Sequence, residues 1–128
     1  MTLSESEYII LDRKSGKEDV LSEEISDQLK IYALKMLLKK GITSMDGMRI
    51  EAQEVYLNTM NAHGGKVSQA DIDDIIAKIQ KDVDYQKQFI ENQDPVKNIP
   101  LDPFVFRKTS SERKCESCTF REVCGKLG

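Results

Sequence analysis

Hydrophobic and polar positions divide the first part of the chain into a short strand followed by a helix. Residues 8–11 form an apolar, partly β-branched run, which is typical of a buried strand, and a turn follows at Ser15–Gly16. Ser26 can cap the next element, a helix over Asp27–Lys39 that Gly41 is placed to end. Its apolar positions recur at helical spacing and cover more than one face: Leu29, Ile31, Tyr32, Ala33, Leu34, Met36, Leu37 and Leu38.

The pattern after this helix predicts a second strand and a longer helix. Alternation over Arg49–Met60 indicates a strand, and its slip near Glu54 predicts a β-bulge. Residues 61–66, Asn-Ala-His-Gly-Gly-Lys, are typical of a turn. Ser68 and Asp71 have the spacing of a capping box that opens a helix. The apolar stripe of that helix consists of Ile72, Ile75, Ile76, Ile79 and Val83.

Together these elements predict an α/β or α+β fold with a small mixed sheet flanked by helices. We expect the Tyr8–Lys14 strand to lie beside the Arg49–Met60 strand, because the helix between them can pack across both. That helix is the one predicted over Asp27–Lys39, and the second, longer helix begins at about Gln69.

The last part of the chain differs in composition from the rest. All three prolines, Pro95, Pro100 and Pro103, fall in a segment that we expect to be extended. The whole chain has a net charge of −3, whereas Arg107–Gly128 carries six Lys or Arg and three Glu residues, a local balance of +3. This excess alone is typical of a solvated terminus, and it indicates nucleic-acid binding only beside a second signal.

The three cysteines of the chain lie close together in this basic region, in a C-x2-C-x5-C pattern. No apolar run has membrane-spanning length, and the N-terminus lacks the features of a signal peptide, so we expect a cytoplasmic, reducing location. Clustered cysteines in that setting indicate metal ligands more than disulfides. A tetrahedral site wants a fourth ligand, which His63 could supply, although its position in a predicted turn favours a solvated loop residue.

Candidate chemistry is found where the first predicted strand ends. Asp12 and Lys14 lie two residues apart and therefore project from the same face. A carboxylate and an ammonium can there bind a divalent cation and assist a water that attacks a phosphodiester, but a surface ion pair is the favoured interpretation of these two residues alone. Gln28 and Tyr32, spaced i and i+4, can reach back to the same place, or they are an exposed first-turn residue and a core aromatic.

Taken in series, the segments "IILDRKSGK", "QLKIYALKML" and "CESCTFREVCG" resemble a known family. They are similar to the C-terminal half of RecB-like nucleases of the PD-(D/E)XK superfamily, and most similar to the iron–sulfur branch with the AddB-type and CRISPR-adaptation exonucleases. The resemblance implies a partial restriction-endonuclease-like core. It divides the chain into a truncated nuclease core over residues 1–93 and a Pro-rich, cysteine-bearing extension over residues 94–128.

The resemblance also implies roles for individual residues. Asp12 becomes a metal-binding carboxylate, the backbone carbonyl of Arg13 a further metal ligand, and Lys14 the catalytic lysine. Gln28 and Tyr32 organise the site or the DNA backbone. The implied catalytic cofactor is Mg²⁺ or Mn²⁺. A structural [4Fe–4S] cluster is implied as well, held by one more cysteine far upstream and by Cys115, Cys118 and Cys124.

The function expected from this resemblance is metal-dependent hydrolysis of DNA, as an exonuclease in recombination or repair. The family's preceding part carries a second metal-binding Asp and the fourth cluster ligand. We therefore expect the chain to be the C-terminal part of a nuclease that works with that missing part or in a helicase–nuclease complex. Without the preceding strands, the sheet keeps an uncovered edge, which oligomerisation can cover. The alternative is a catalytically inactive nuclease-fold module that binds DNA or a protein partner, and a zinc-stabilised scaffold ranks third.

Overall fold

A computed structural model of the protein describes residues 6–18 and 24–126. The chain forms two compact units, Met1–Ile79 and Gln80–Gly128. The elements of the first unit are β1 (Glu7–Lys14), α1 (Asp27–Lys39), β2 (Arg49–Tyr56) and β3 (Asn61–Lys66), and α2 (Gln69–Lys87) begins in the first unit and ends in the second. The predicted helix over Asp27–Lys39 therefore has the predicted bounds.

The first unit is built on one three-stranded mixed sheet in the order β1-β2-β3. β1 pairs with β2 in parallel, and β2 pairs with β3 antiparallel. A parallel pair requires a crossover connection, which α1 supplies, whereas the antiparallel pair is joined by a tight turn. The predicted small mixed sheet with flanking helices is confirmed, and the first unit has an α/β core.

The core of this unit lies between α1, the sheet and the first turns of α2. Ser26 caps α1, since its side-chain Oγ accepts a hydrogen bond from the Leu29 N–H. Ser68 and Asp71 form the predicted capping box of α2, in which each side chain accepts a hydrogen bond from the other's backbone N–H. The largest fully buried side chains are Leu29, Leu37, Ile50, Val67, Ile72 and Ile75. Burial of these apolar side chains is the main force that holds α1 and α2 on the sheet.

Two expectations about the middle of the chain are wrong. Residues 61–66 form strand β3 and not a turn; the turn lies at residues 57–60, where Met60 takes a positive φ of 57°. The slip near Glu54 is not a bulge, because β2 keeps a continuous register with both neighbours. Glu54 points to the same face as the buried residues of β2 but lies beyond the apolar core, so a polar residue interrupts the alternation there without any kink.

The second unit is made of short elements. Backbone bonding between Ile90 and Pro100 closes a loop, and a 3₁₀ turn spans Pro103–Val105, so the segment expected to be extended is extended only in part. Two short helices follow, α3 (Glu112–Glu116) and α4 (Arg121–Lys126). Within the described ranges, no helix is both long enough and apolar enough to cross a membrane.

Candidate active site

The end of β1 and the first turns of α1 bring four predicted site residues together. Lys14 Nζ lies 2.7 Å from Asp12 Oδ2 and donates a hydrogen bond to Gln28 Oε1 at 2.5 Å. Gln28 Nε2 in turn donates to the Tyr32 hydroxyl at 2.8 Å. The result is a continuous polar chain from a carboxylate through an ammonium and an amide to a phenol. Their assignment to catalytic roles stays a prediction.

The fold explains why these residues meet. Asp12 and Lys14 alternate with exposed residues at the end of β1, so both side chains lie on the face covered by α1. The crossover begins at this end of the strand, which places the first turn of α1, and with it Gln28, directly above Lys14. Tyr32 lies one helical turn further along the same face. The Lys14 backbone is fixed as well, because its carbonyl accepts a hydrogen bond from the Leu57 N–H at 3.0 Å.

Charges around Lys14 keep it protonated. The close contact with Asp12 raises the pKa of Lys14 above its ordinary value of 10.5. Desolvation lowers this pKa in part, and the charges of Asp12, Glu54 and Tyr32 raise it further. Its side chain is 28% exposed and that of Asp12 only 16%. Lys14 is therefore a half-buried cation at neutral pH, suited to holding an anionic oxygen and unsuited to acting as a general base.

Glu54 is a polar residue of this face that the sequence pattern did not single out as functional. It lies opposite Asp12 in the register of β1 and β2. The Ser26 hydroxyl donates to Glu54 Oε1 at 2.7 Å, and the Tyr56 hydroxyl donates to Oε2 at 3.3 Å. Because Ser26 also caps α1, Glu54 ties the start of that helix to β2. The signal that could have revealed it is the carboxylate at an inward position of β2, which we interpreted as a bulge.

One oxygen of Asp12 has the properties of a metal ligand. Oδ2 is buried and accepts no hydrogen bond of normal geometry from the described residues, although the Lys14 ammonium lies within ion-pair distance. Arg13, between Asp12 and Lys14 in the sequence, directs its side chain to the opposite, exposed face of β1. No group of three His, Cys, Asp or Glu side chains within residues 6–18 and 24–126 is arranged to hold a metal ion. Mg²⁺ commonly takes one or two protein carboxylates and completes its shell with water and substrate phosphate, so Asp12 fits such an ion.

The cysteines are not gathered into a metal site. Cys115 lies in α3, Cys118 in the turn that follows, and Cys124 in α4; the first two are exposed and the third is half-buried. The three cysteines belong to the part of the chain in which no group of three potential metal ligands converges. In this arrangement they do not fit a [4Fe–4S] cluster.

We expected His63 to be a solvated loop residue, and this expectation is wrong. His63 is part of a cluster around Glu18. It lies in β3, and its ring contacts the Glu18 carboxylate. Glu18 also accepts hydrogen bonds from Thr59 Oγ1 at 2.8 Å and from Asn61 Nδ2 at 3.1 Å. The hairpin of β2 and β3 thus holds the loop that follows Lys14. His63 is engaged by Glu18 within the first unit.

The Glu18 cluster predicts a pH dependence of stability. Its hydrogen bonds with His63, Thr59 and Asn61 lower the pKa of Glu18 from the ordinary value of 4.5. A lowered pKa means that the ionised carboxylate stabilises the folded state above pH 4.5, and that this contribution is lost as the pH falls through the lowered value.

We therefore expect the urea midpoint of the wild type to exceed that of Glu18→Gln at pH 7, with the difference shrinking in acid. Asp46→Asn, at an exposed carboxylate without a side-chain partner in the described structure, serves as the control and should show no such trend. An equal trend in both variants would contradict a specific role of Glu18.

The geometry agrees with a comparison of the chain with protein families. The family model described as the PD-(D/E)XK nuclease superfamily matches residues 3–125. No curated protein and no solved structure matches the chain. The family match covers almost the whole sequence, and it includes the strand that ends in Asp12-Arg13-Lys14 as well as the helix above it. This chain belongs to the PD-(D/E)XK nuclease superfamily.

Proposed function

We propose that this chain is part of a metal-dependent DNA nuclease that hydrolyses phosphodiester bonds, as an exonuclease in recombination or repair. The observation that supports it most is the position of the Lys14 ammonium, which is held between Asp12 and Gln28 at the end of β1. A structural ion pair alone does not need the second contact, because one carboxylate already neutralises the ammonium. The second contact fixes the direction of the lysine as well as its charge.

In the proposed mechanism, Asp12 and the backbone carbonyl of Arg13 would hold Mg²⁺ or Mn²⁺. When bound, such an ion neutralises phosphate charge and lowers the pKa of a coordinated water. The protein's own contribution is to bury the Asp12 oxygen Oδ2 beside the Lys14 ammonium, which lies 2.7 Å away, so that the ion and the ammonium would share this carboxylate. Glu54, in register with Asp12, adds negative charge on the same face.

Lys14 acts on the charge that develops during phosphodiester cleavage. Its raised pKa keeps it cationic, so it stabilises negative charge on the phosphate oxygens and orients the attacking water as a hydrogen-bond donor. Gln28 aims the ammonium, and the Tyr32 hydroxyl fixes which end of the Gln28 amide faces Lys14. Gln28 and Tyr32 are positioning residues in this scheme.

The finer parts of the proposal place the chain in the RecB-like branch, working with a helicase–nuclease partner that supplies further metal ligands. They rest on the residue pattern from Asp12 to Tyr32 and on the cysteine spacing. The iron–sulfur cluster rests on that spacing alone, since the cysteines do not converge in the described structure, and no catalytic step is assigned to it. Iron analysis after anaerobic reconstitution tests for the cluster directly. Four stably bound iron atoms per chain would support the cluster and would contradict the arrangement in which the three cysteines do not converge.

Metal removal tests the proposed function. We expect slow cleavage of end-labelled DNA by the chain in Mg²⁺ or Mn²⁺, and none above background in EDTA or in Ca²⁺. The rate should be low because Asp12 and Glu54 are the only carboxylates identified at this site in the described residues. Products that shorten progressively from an end would support exonuclease action, whereas metal-independent cleavage would contradict the proposal.

A second candidate function is favoured by the incomplete ligand set. Because no three potential metal ligands converge in the described residues, the same fold can serve as an inactive module that binds DNA. DNA binding without cleavage under every metal condition, also in the presence of a helicase–nuclease partner, would favour this alternative over the nuclease.

A further inference from the structure

The second unit carries an open groove whose composition differs from that of the active site. The groove has a volume of about 840 Å³. Phe104 and Phe120 line it and are 77% and 71% exposed. Arg107 and Lys108 line it as well, and none of its described lining residues is acidic. Two large aromatic faces open to solvent beside two cations are unusual on a protein surface, where large apolar side chains are normally scattered and charges are mixed.

The groove is a formed feature of the unit. Phe106, which lines the groove, stacks on Phe89 with ring centroids 4.8 Å apart and an interplanar angle of 19°. The Leu101 N–H donates to the Phe89 carbonyl at 2.8 Å, which pins the segment before the groove. Lys108 Nζ donates to the Cys124 carbonyl at 2.6 Å, and this hydrogen bond links two residues that line the groove.

Phe104 is also held in place by its local backbone. Pro103, whose ring fixes its own φ, opens the 3₁₀ turn that contains Phe104. The Asp102 side chain accepts a hydrogen bond from the Phe104 N–H at 3.0 Å. The ring is therefore presented on an ordered turn. A ligand that stacks on it does not have to order the backbone first, which lowers the entropic cost of binding.

The charges of the groove select an anionic ligand. Neither Arg107 nor Lys108 forms an ion pair with any residue in the described part of the chain. The surrounding stretch Arg107–Gly128 has a balance of +3, although the whole chain is at −3. Exposed aromatic rings next to unpaired cations match a strand whose bases offer flat faces and whose backbone offers phosphates.

We infer that the groove between Phe104 and Phe120 binds single-stranded DNA, with bases stacked on the two rings and phosphates paired with Arg107 and Lys108. The inference rests on the proposed nuclease function for the choice of DNA, and it extends that function to a strand preference. A duplex does not fit as well, because its bases already stack on one another and hide their faces. The basic, cysteine-bearing tail thereby becomes a site that holds substrate.

The test is binding of a short fluorescein-labelled single strand to the full chain, followed by fluorescence anisotropy in EDTA so that cleavage cannot interfere. Phe104→Leu and Phe120→Leu keep an apolar side chain but remove the stacking face, and each should weaken binding at least about five-fold. Phe104→Trp should restore or tighten it. Val96→Ala alters an apolar side chain that is 92% exposed and outside the groove, so it should change nothing.

Salt dependence tests the cations separately. If Arg107 contacts one phosphate, Arg107→Gln should reduce the slope of log K against log salt by about 0.7. The matched control is Lys97→Gln, an exposed lysine that does not line the groove.

Several outcomes would overturn the inference. The first is that the wild type does not bind the single strand at low salt. The second is that a duplex or an RNA strand of the same sequence binds equally well or more tightly. The third is that the leucine variants bind the single strand as well as Val96→Ala does. If these occur while metal-dependent cleavage still requires Lys14, the groove assignment falls and the nuclease stands. If cleavage does not require Lys14 but the leucine variants lose single-strand binding, the nuclease assignment falls and the groove remains a DNA site.

Discussion

Replacing Lys14 with alanine should lower metal-dependent DNA cleavage by at least about 100-fold while the fold remains intact. The ammonium is the only cation of the described site that contacts both Asp12 and Gln28, so its loss removes charge stabilisation and leaves Asp12 without its partner. Groups of an active site that act as a unit show losses far from additive. Asp12→Asn should therefore lower the cleavage rate by a similar factor. The double variant should cleave only slightly more slowly than either single variant.

The measurement is the initial rate of product formation from end-labelled DNA in Mn²⁺, with circular dichroism to confirm the fold. Gln28→Ala and Tyr32→Phe should have smaller effects, because these residues aim Lys14 without contacting the reacting atoms. Lys35→Ala, at an exposed position of α1, is the matched control and should leave the rate unchanged. Normal cleavage by Lys14→Ala would show that Asp12 and Lys14 are only an ion pair at the end of a strand.

The local rules of the sequence predicted the frame of this site well. The apolar run before Asp12 and the cap at Ser26 specify a strand and a helix through short-range effects, and the crossover between them follows from burial of both. Spacing alone placed Asp12 with Lys14 and Gln28 with Tyr32. The two pairs are joined by the contact between Lys14 on β1 and Gln28 on α1. The sequence contains no direct signal for the distance between these two elements.

The residues that were missed depend on long-range contacts. Glu54 interrupts the apolar–polar alternation of β2 because this inward-facing position lies beyond the apolar core. In the sequence of one strand, a polar residue at such a position gives the same pattern as a β-bulge. The partners of Glu18 lie more than forty positions away, so neither the carboxylate nor His63 carries a local pattern. Residues 61–66 were mistaken for a turn because glycine is rare in strands. Their strand character comes from pairing with β2, which overrides the local propensity.

Gly64 shows why that strand contains glycine, and its replacement should have the largest effect on stability. Its φ is +141°, and a Cβ at this position would lie 2.0 Å from the Ala52 carbonyl oxygen and 2.9 Å from the Gln53 Cα. These are backbone atoms of β2, which cannot rotate away as a side chain can. Gly64→Ala therefore combines an unfavourable backbone conformation with a clash inside the sheet, and should destabilise the protein by about 3 kcal/mol or more.

The adjacent glycine provides the control for this prediction. A Cβ on Gly65 meets nothing within 4 Å and its φ is not in the left-handed region, so Gly65→Ala should change the free energy of unfolding by less than about 1 kcal/mol. Urea unfolding of both variants separates the two cases. Because β3 holds Glu18 through His63 and pairs with β2 opposite Glu54, partial separation of the hairpin should also lower cleavage in Gly64→Ala. Equal stability of the two variants would mean that β3 is not packed against β2 in this register.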